Sequence, residues 1–431
     1  MRKMFLLWIL LGFLGFAVGC GSSGSTPSGI PGGGGSTTGN VLAIAVDGGP
    51  TANQANGAIY PNGAFASATI CAPGSSSNCV TVDHLLVDTG SMGLRVLQSA
   101  ISSLSLPAVN ASNGPAAWEC VSFVDGSLLW GQVEAATVIL SGETAKNIPI
   151  QVVSSSGTNI PSTCSNGGVN ENTQALLGAN GILGVGLEPI DCGAACDPNG
   201  GNASPPVPAY YTCSSAPCSP AFVTESNQVT NPVAVLPVDN NGVIVELPAL
   251  SSSAATVTGN LVFGIGTESN NQLPSTAKAF SLSCDEFFTT MFENQTYSID
   301  PLTCTGSAGG FIDSGSNALF FPNVNDSIQI CPTSTPVGDL SSFYCPPSLL
   351  NLSAVNQDPN TLYQATTNFS VGNAQTLFTS ASTTSNAAFS TLAGPVPSTS
   401  GFDWGLPFFY GKNVFTAMDL GQGVQSAYWA Y

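Results

Sequence analysis

The sequence predicts a mainly β protein folded as two related lobes, on three observations. Short apolar segments alternate with turn-rich ones along almost the whole chain, as strands joined by tight turns do. Apolar residues at helical spacing are nearly absent, and 48 glycines and 30 prolines are too many for helix bundles. One segment occurs twice. Leu86-Val87-Asp88-Thr89-Gly90-Ser91-Met92-Gly93-Leu94-Arg95-Val96 and Phe311-Ile312-Asp313-Ser314-Gly315-Ser316-Asn317-Ala318-Leu319-Phe320-Phe321 share one pattern. Both read apolar, apolar, Asp, Ser or Thr, Gly, Ser, any, small, Leu, any, apolar. The copies lie 225 positions apart, too far for a stacked repeat, which places one in each lobe.

The first residues speak to compartment. Arg2 and Lys3 precede an apolar run from Met4 to Val18 and then Ala17-Val18-Gly19-Cys20. A basic start, a short apolar stretch and small residues before a cleavage point describe an export signal over 1–19. The run falls short of the roughly 20 residues a membrane span needs. Cys20 after Ala-Val-Gly resembles a bacterial lipobox, which implies that the thiol is acylated; the alternative is an ordinary signal with an incidental cysteine. Gly21 after the cysteine implies, on the same resemblance, an outer-membrane lipoprotein facing the periplasm or the cell surface. Residues 20–40 then read as a lipidated cysteine and a disordered Gly/Ser tether, spanning on the order of 25 Å.

About 390 residues remain, suited to two lobes. We place them at 41–272 and 273–431, with a cysteine-rich insertion over 192–225. Strands are expected at 40–46, 67–71, 79–82, 137–140, 243–247 and 260–264. The formal charge is −19, and the leader carries bases and no acids, so the exported part is more acidic still. Nucleic acid and anionic lipid surfaces are excluded as partners on that balance, leaving the membrane to be met through the lipid alone. With few bases, most charge disappears as pH falls through the carboxylate range. That fits acid conditions, and equally a generic acidic secreted surface.

Thirteen cysteines, less Cys20, leave an even number for an oxidising compartment. Close spacing pairs Cys71 with Cys79, Cys192 with Cys196, Cys213 with Cys218, Cys284 with Cys304 and Cys331 with Cys345, and Cys120 with Cys164 remains. Metal binding is the weaker reading, since the clusters lack histidine and their spacing is irregular. His84 is the sole histidine, which excludes His-dependent triads and histidine-rich zinc sites. It lies just upstream of Asp88 but reads as a structural strand residue. No glycine-rich phosphate loop follows a strand, so nucleotide binding has no support.

An aspartate after two apolar strand residues and before Thr-Gly-Ser sits where a buried strand breaks into a tight turn. One such motif is often an Asx-type turn. Two in the same frame point to facing carboxylates, Asp88 and Asp313, that cannot both ionise freely and so share a proton. Thr89 and Ser314 are expected to brace the turns from behind, Ser91 and Ser316 to hydrogen-bond the carboxylates, and Gly90 and Gly315 to allow close approach.

These residues resemble the pepsin family of aspartic peptidases, and the resemblance runs from about residue 41 to 431. Asn180-Gly181-Ile182-Leu183-Gly184-Val185-Gly186 is similar to the segment that packs behind the first aspartate. Gly259 to Gly266 is similar to the strand closing the first lobe, Trp404-Gly405-Leu406-Pro407 to the second lobe's support, and Val414 to Asp419 to the final strand. The stretch 192–240 matches least. The chain also resembles a bacterial lipoprotein family known only as a domain of unknown function. The resemblance implies a bilobal acid-protease fold acting as a monomer without cofactor or metal, with a peptide or protein substrate between the lobes. It also implies a flap, here Ser122 to Ser127. Phe123 stands where the family has a tyrosine, Arg95 where it has a tryptophan, and Asp125 beside Gly126 is offered as a partner for Arg95. Trp130 is expected in the flap with Phe123, the alternative for both being plain core aromatics. Two functions follow: an acid endopeptidase, favoured by the complete motifs, and a silent surface binding module, favoured by the altered flap and the insertion.

Overall fold

A computed structural model describes residues 39–51, 59–123, 125–157, 159–214, 217–284, 286–300, 303, 305–306, 309–397, 399–421 and 423–431. The expected export signal, Cys20, the expected tether up to residue 38 and Cys304 lie outside them. Asn40, expected as the last tether residue, is buried and donates its side-chain amide to the Phe263 carbonyl (3.1 Å). No helix among the described residues is long and apolar enough to cross a membrane.

The fold is mainly β. The first part contains β1 (Val41–Val46), β2 (Ala64–Cys71), β3 (Cys79–Asp88), β4 (Met92–Leu97), β5 (Ala117–Ser122), β6 (Leu128–Leu140), β7 (Glu143–Val153) and β8 (Gly181–Val185). Strands β2, β3, β8, β4, β7 and β6 pair in that order, and β6 pairs back with β2, closing a six-stranded barrel. Alternate residues such as Leu85 and Val87, Leu94 and Val96, and Leu183 and Val185 share one buried cluster, as period-two strands facing a core require. The expected strand at 79–82 was too short: β3 continues to the aspartate itself.

The insertion supplies β9 (Tyr210–Thr212) and β10 (Ser219–Pro220). Strand β9 pairs with the free edge of β5, and β10 with β9. Next come β11 (Gly242–Leu247), β12 (Ser253–Ala254) and β13 (Val257–Phe263), with β13 between β1 and β11. The remainder forms β14 (Ala279–Ser281), β15 (Thr289–Phe292), β16 (Gln295–Tyr297), β17 (Ile299–Asp300), β18 (Thr305–Gly306), β19 (Gly310–Ile312) and β20 (Leu319–Pro322). Strands β21 (Leu350–Gln357), β22 (Gln364–Val371), β23 (Ala388–Phe389), β24 (Ala393–Val396), β25 (Phe402–Trp404), β26 (Lys412–Ala417) and β27 (Tyr428–Ala430) complete it. Because β26 pairs with β11 along its whole length, the sheet crosses the expected border at residue 272. The final strand is β27, beyond the segment 414–419 expected in that place.

The duplication reaches the topology. In the first part β8 lies between β3, to which it is parallel, and β4, to which it is antiparallel, and β4 runs parallel to β7. In the second, β25 lies between β19 and β20, and β20 runs parallel to β24, with the same three senses. Asp88 is thereby level with Gly184, and Ile312 is level with Trp404, one step before Asp313 and Gly405. Stacked aromatics replace the aliphatic filling of the barrel in this second unit. Phe321 lies on Phe402 (ring centroids 5.1 Å apart), and Phe402 on Trp404 (4.4 Å).

Disulfides join Cys71 to Cys79, Cys120 to Cys164, Cys192 to Cys196, Cys213 to Cys218 and Cys331 to Cys345. Cys284 is disulfide-bonded as well.

Candidate active site

Both aspartates are nearly inaccessible, each with 1% of its surface exposed. Each turn closes on its own carboxylate. The Gly90 N–H donates to Asp88 Oδ1 (2.9 Å) and the Gly315 N–H to Asp313 Oδ1 (2.7 Å). Ser91 Oγ donates to Asp88 Oδ2, and Ser316 Oγ to Asp313 Oδ2 (2.9 Å). Hydrogen bonds to a carboxylate orient it and favour its charged form.

The turns also hold each other. The Thr89 N–H donates to Ser314 Oγ (3.1 Å) and the Ser314 N–H to Thr89 Oγ1 (3.0 Å). The same hydroxyls donate across to the opposite strands, Thr89 Oγ1 to the Ile312 carbonyl (3.4 Å) and Ser314 Oγ to the Val87 carbonyl (2.7 Å). Four buried backbone groups are thus satisfied between turns 225 positions apart. The glycines are required by proximity. A Cβ on Gly90 would lie 2.7 Å from Asp313 Cγ, and one on Gly315 would lie 2.6 Å from Asp88 Oδ1.

The two carboxyls lie close together: a Cβ on Gly315 would meet both Asp88 Oδ1 (2.6 Å) and Asp313 Oδ1 (3.1 Å). Asp313 is held well above the ordinary carboxylate range by burial first, then by the charges of Asp88 and Asp403. Two acids at this separation cannot both ionise at low cost, so the pair keeps a proton.

Four residues at the site escaped the sequence reading. Asp403 on β25 is 2% exposed, with neither carboxylate oxygen hydrogen-bonded. Tyr60 lies close enough to Glu171, Asp88, Asp313 and Asp125 for their charges, after burial, to raise its hydroxyl's pKa. Its ring is cradled by glycines, since a Cβ on Gly178 would fall 2.3 Å from Tyr60 Cδ2. Buried Asn62 pins this segment to the second turn through the Asn317 carbonyl (2.7 Å). Glu171, beside the β5–β6 hairpin, is pushed up to about 8 by burial and then by Asp125, with the Ser127 hydroxyl opposing. An acid before Trp404-Gly405 was a visible signal for Asp403; no local pattern announced Tyr60 or Glu171.

The hairpin tip corrects three expectations. Asp125 does not meet Arg95. It forms its own Asx turn, accepting from the Ser127 N–H (2.8 Å), while the Gly126 N–H donates to the Phe123 carbonyl (3.0 Å). Arg95 is fully buried on β4. There it donates to Glu119 Oε1 (2.7 Å) and the Met92 carbonyl (2.6 Å) and lies 3.4 Å from Asp191. From β4 the side chain reaches the base of the hairpin, and the low-dielectric interior favours a carboxylate there over an exposed tip. Tyr210 of the insertion donates to Asp191 Oδ1 (2.6 Å), so the cluster ties the first turn, the hairpin and the insertion together. Trp130, expected in the flap, is a core residue stacked on Trp118 (5.4 Å) beside the Cys120–Cys164 bridge. Phe123 packs at the edge of the cluster containing Phe65, Leu86 and Ile182.

Residues 36–431 match the family DUF3443, described as a protein of unknown function, and the chain belongs to that family. No curated protein matches it.

Proposed function

We propose that this protein is a two-lobed, pepsin-like aspartic endopeptidase in which Asp88 and Asp313 form one catalytic unit. The observation that carries the reading is the reciprocal bonding of Thr89 and Ser314, which holds two buried carboxyls close together at the centre of a duplicated four-strand unit. The chemistry follows from one shared proton. The ionised carboxyl takes a proton from a water, whose oxygen attacks the peptide carbonyl carbon, while the protonated carboxyl donates to the carbonyl oxygen. Collapse of the tetrahedral species breaks the C–N bond as a proton passes to the amine nitrogen. No metal, cofactor or covalent intermediate enters. The substrate is an extended peptide lying between the lobes under the β5–β6 hairpin, and the protein works as a monomer at acid pH. Lipid on Cys20 anchors it to the outer membrane.

A second reading, a surface binding module, draws on Phe123 in place of a flap hydroxyl and on the buried pins of the hairpin. A peptide carrying a secondary alcohol in place of the scissile bond separates the two. Titration calorimetry at pH 4 is expected to show binding by the wild type and at least tenfold weaker binding by Asp88→Asn. Equal binding by both would favour the module.

A further inference from the structure

We propose that Asn62 is a positioning residue for the paired carboxyls. From the first part of the chain it caps the second turn and so fixes Asp313 relative to Asp88. Each turn runs on to a backbone carbonyl four residues after its aspartate, and a side chain caps each of these carbonyls. The first belongs to Met92 and accepts from Arg95 Nη1 (2.6 Å), three residues further along the same strand. The second belongs to Asn317 and accepts from Asn62 Nδ2 (2.7 Å), 255 positions away. One turn is finished from within its own unit, and the other by a residue from outside it.

Asn62 uses its whole hydrogen-bonding capacity in this contact. Nδ2 also donates to the Phe389 carbonyl (2.9 Å), while Oδ1 accepts from the Phe389 N–H (2.7 Å) and the Tyr410 hydroxyl (2.9 Å). A side-chain amide has two donors and two lone pairs, and all four are engaged. The Asn62 N–H donates to the Ala387 carbonyl (2.7 Å), and the residue is wholly buried. Its φ of 53° lies in the left-handed region, which asparagine visits more readily than most residues. The tie reaches Asp88 through the sheet. Strand β2 begins two residues after Asn62, and its Phe65 is level with Leu86 on β3, two residues before Asp88. Without Asn62 the Asn317 carbonyl loses a buried partner, and the outer end of the second turn is released. The Thr89 and Ser314 bonds hold only its inner end.

The significance of Asn62 for catalysis rests on the peptidase reading, but its test does not. Neighbouring carboxyls titrate as a pair in two separated steps, and the gap between the steps shrinks as the groups move apart. In full-length protein labelled with carboxyl-¹³C aspartate, the two resonances are assigned by their loss in Asp88→Asn and Asp313→Asn. Asn62→Gly keeps the left-handed backbone and removes the amide, and Tyr410→Phe removes one donor to it. The gap should narrow by about one pH unit in Asn62→Gly and by less in Tyr410→Phe. Asn271→Asp disturbs a buried amide bonded to the Phe263 carbonyl and Thr267. It should lower the melting temperature and leave the gap unchanged, which separates positioning from general loss of stability. If Asn62→Gly does not fold, Tyr410→Phe decides. An unmoved gap in the folded site variants, or equal narrowing in Asn271→Asp, overturns the proposal. A narrowed gap in protein that cleaves no peptide upholds the positioning role and removes the peptidase reading alone.

Discussion

At the two aspartate turns, residues 88–91 and 313–316 position one another through hydrogen bonds that are nearly identical on both sides. The β5–β6 hairpin reaches comparable order by other means. Cys120 is bridged to Cys164, β9 of the insertion covers the edge of β5, and Arg95 joins Glu119 to Asp191. The turns depend on a short motif whose chemistry is local, whereas the hairpin depends on partners collected from distant segments. In the proposed site the two turns are the floor and the hairpin is the cover.

Substitutions at the floor carry the largest expected effect. Asp88→Asn or Asp313→Asn is expected to lower kcat/KM for peptide cleavage by about a thousandfold or more, because asparagine keeps the shape and removes the shared proton. The folded-state pKa of Asp313 lies above its unfolded value of 3.8. Its contribution to stability is therefore greatest below that value and declines as pH rises toward the folded one. Asp313→Asn removes that decline, so the melting temperature at pH 7 should hold or rise. A fall would mean that the carboxyl stabilises the fold.

The cover is next. Cys120 and Cys164 close a loop of sequence separation 44, and their joint replacement by alanine should cost about 4 kcal/mol on loop entropy. Amide exchange should quicken in β5 and β6 while Thr89 and Ser314 stay protected. Loss of protection at the turns would show that floor and cover are not independent.

A smaller effect is expected within the floor itself. Thr89→Val leaves the buried Ser314 N–H without its acceptor and should destabilise by about 1–3 kcal/mol, read by denaturant unfolding. No change would mean that the reciprocal bonds are dispensable.

The smallest concerns His84, whose backbone has a φ of 47°. Burial lowers its pKa, but hydrogen bonding and charge from Asp47, and then Asp83, outweigh burial and hold it above 6.5. A raised value stabilises fully below 6.5 and is lost as pH rises through the folded value. His84→Asn tolerates that backbone. It should lower the melting temperature by about 2 °C at pH 5 and leave it unchanged at pH 9. An equal drop at both pH values would assign His84 a packing role only.

The same contrast decides what could be read from sequence. Asp88, Asp313 and their serines were legible because five adjacent residues carry the turn, the hydrogen bonds and the glycine that admits the opposite carboxyl. The bridges Cys71–Cys79 and Cys213–Cys218 were legible because short loops leave few partners. Arg95 was misassigned because its partners Glu119 and Asp191 are set by strand register and an insertion, which no local pattern encodes. Tyr60 faces the aspartates through a glycine cradle drawn from residues 49, 63 and 178, again a tertiary fact. Trp130 was misplaced because hairpin position alone does not say which face of a strand the core takes.

Whether the paired carboxyls cleave peptides is decided by mass-spectrometric detection of products from a peptide mixture incubated with purified wild-type protein between about pH 3 and 8. Internal cleavage is expected between about pH 3 and 6, declining at higher pH and suppressed by an aspartyl-peptidase inhibitor. Folded protein that cleaves nothing across that range would contradict the peptidase reading.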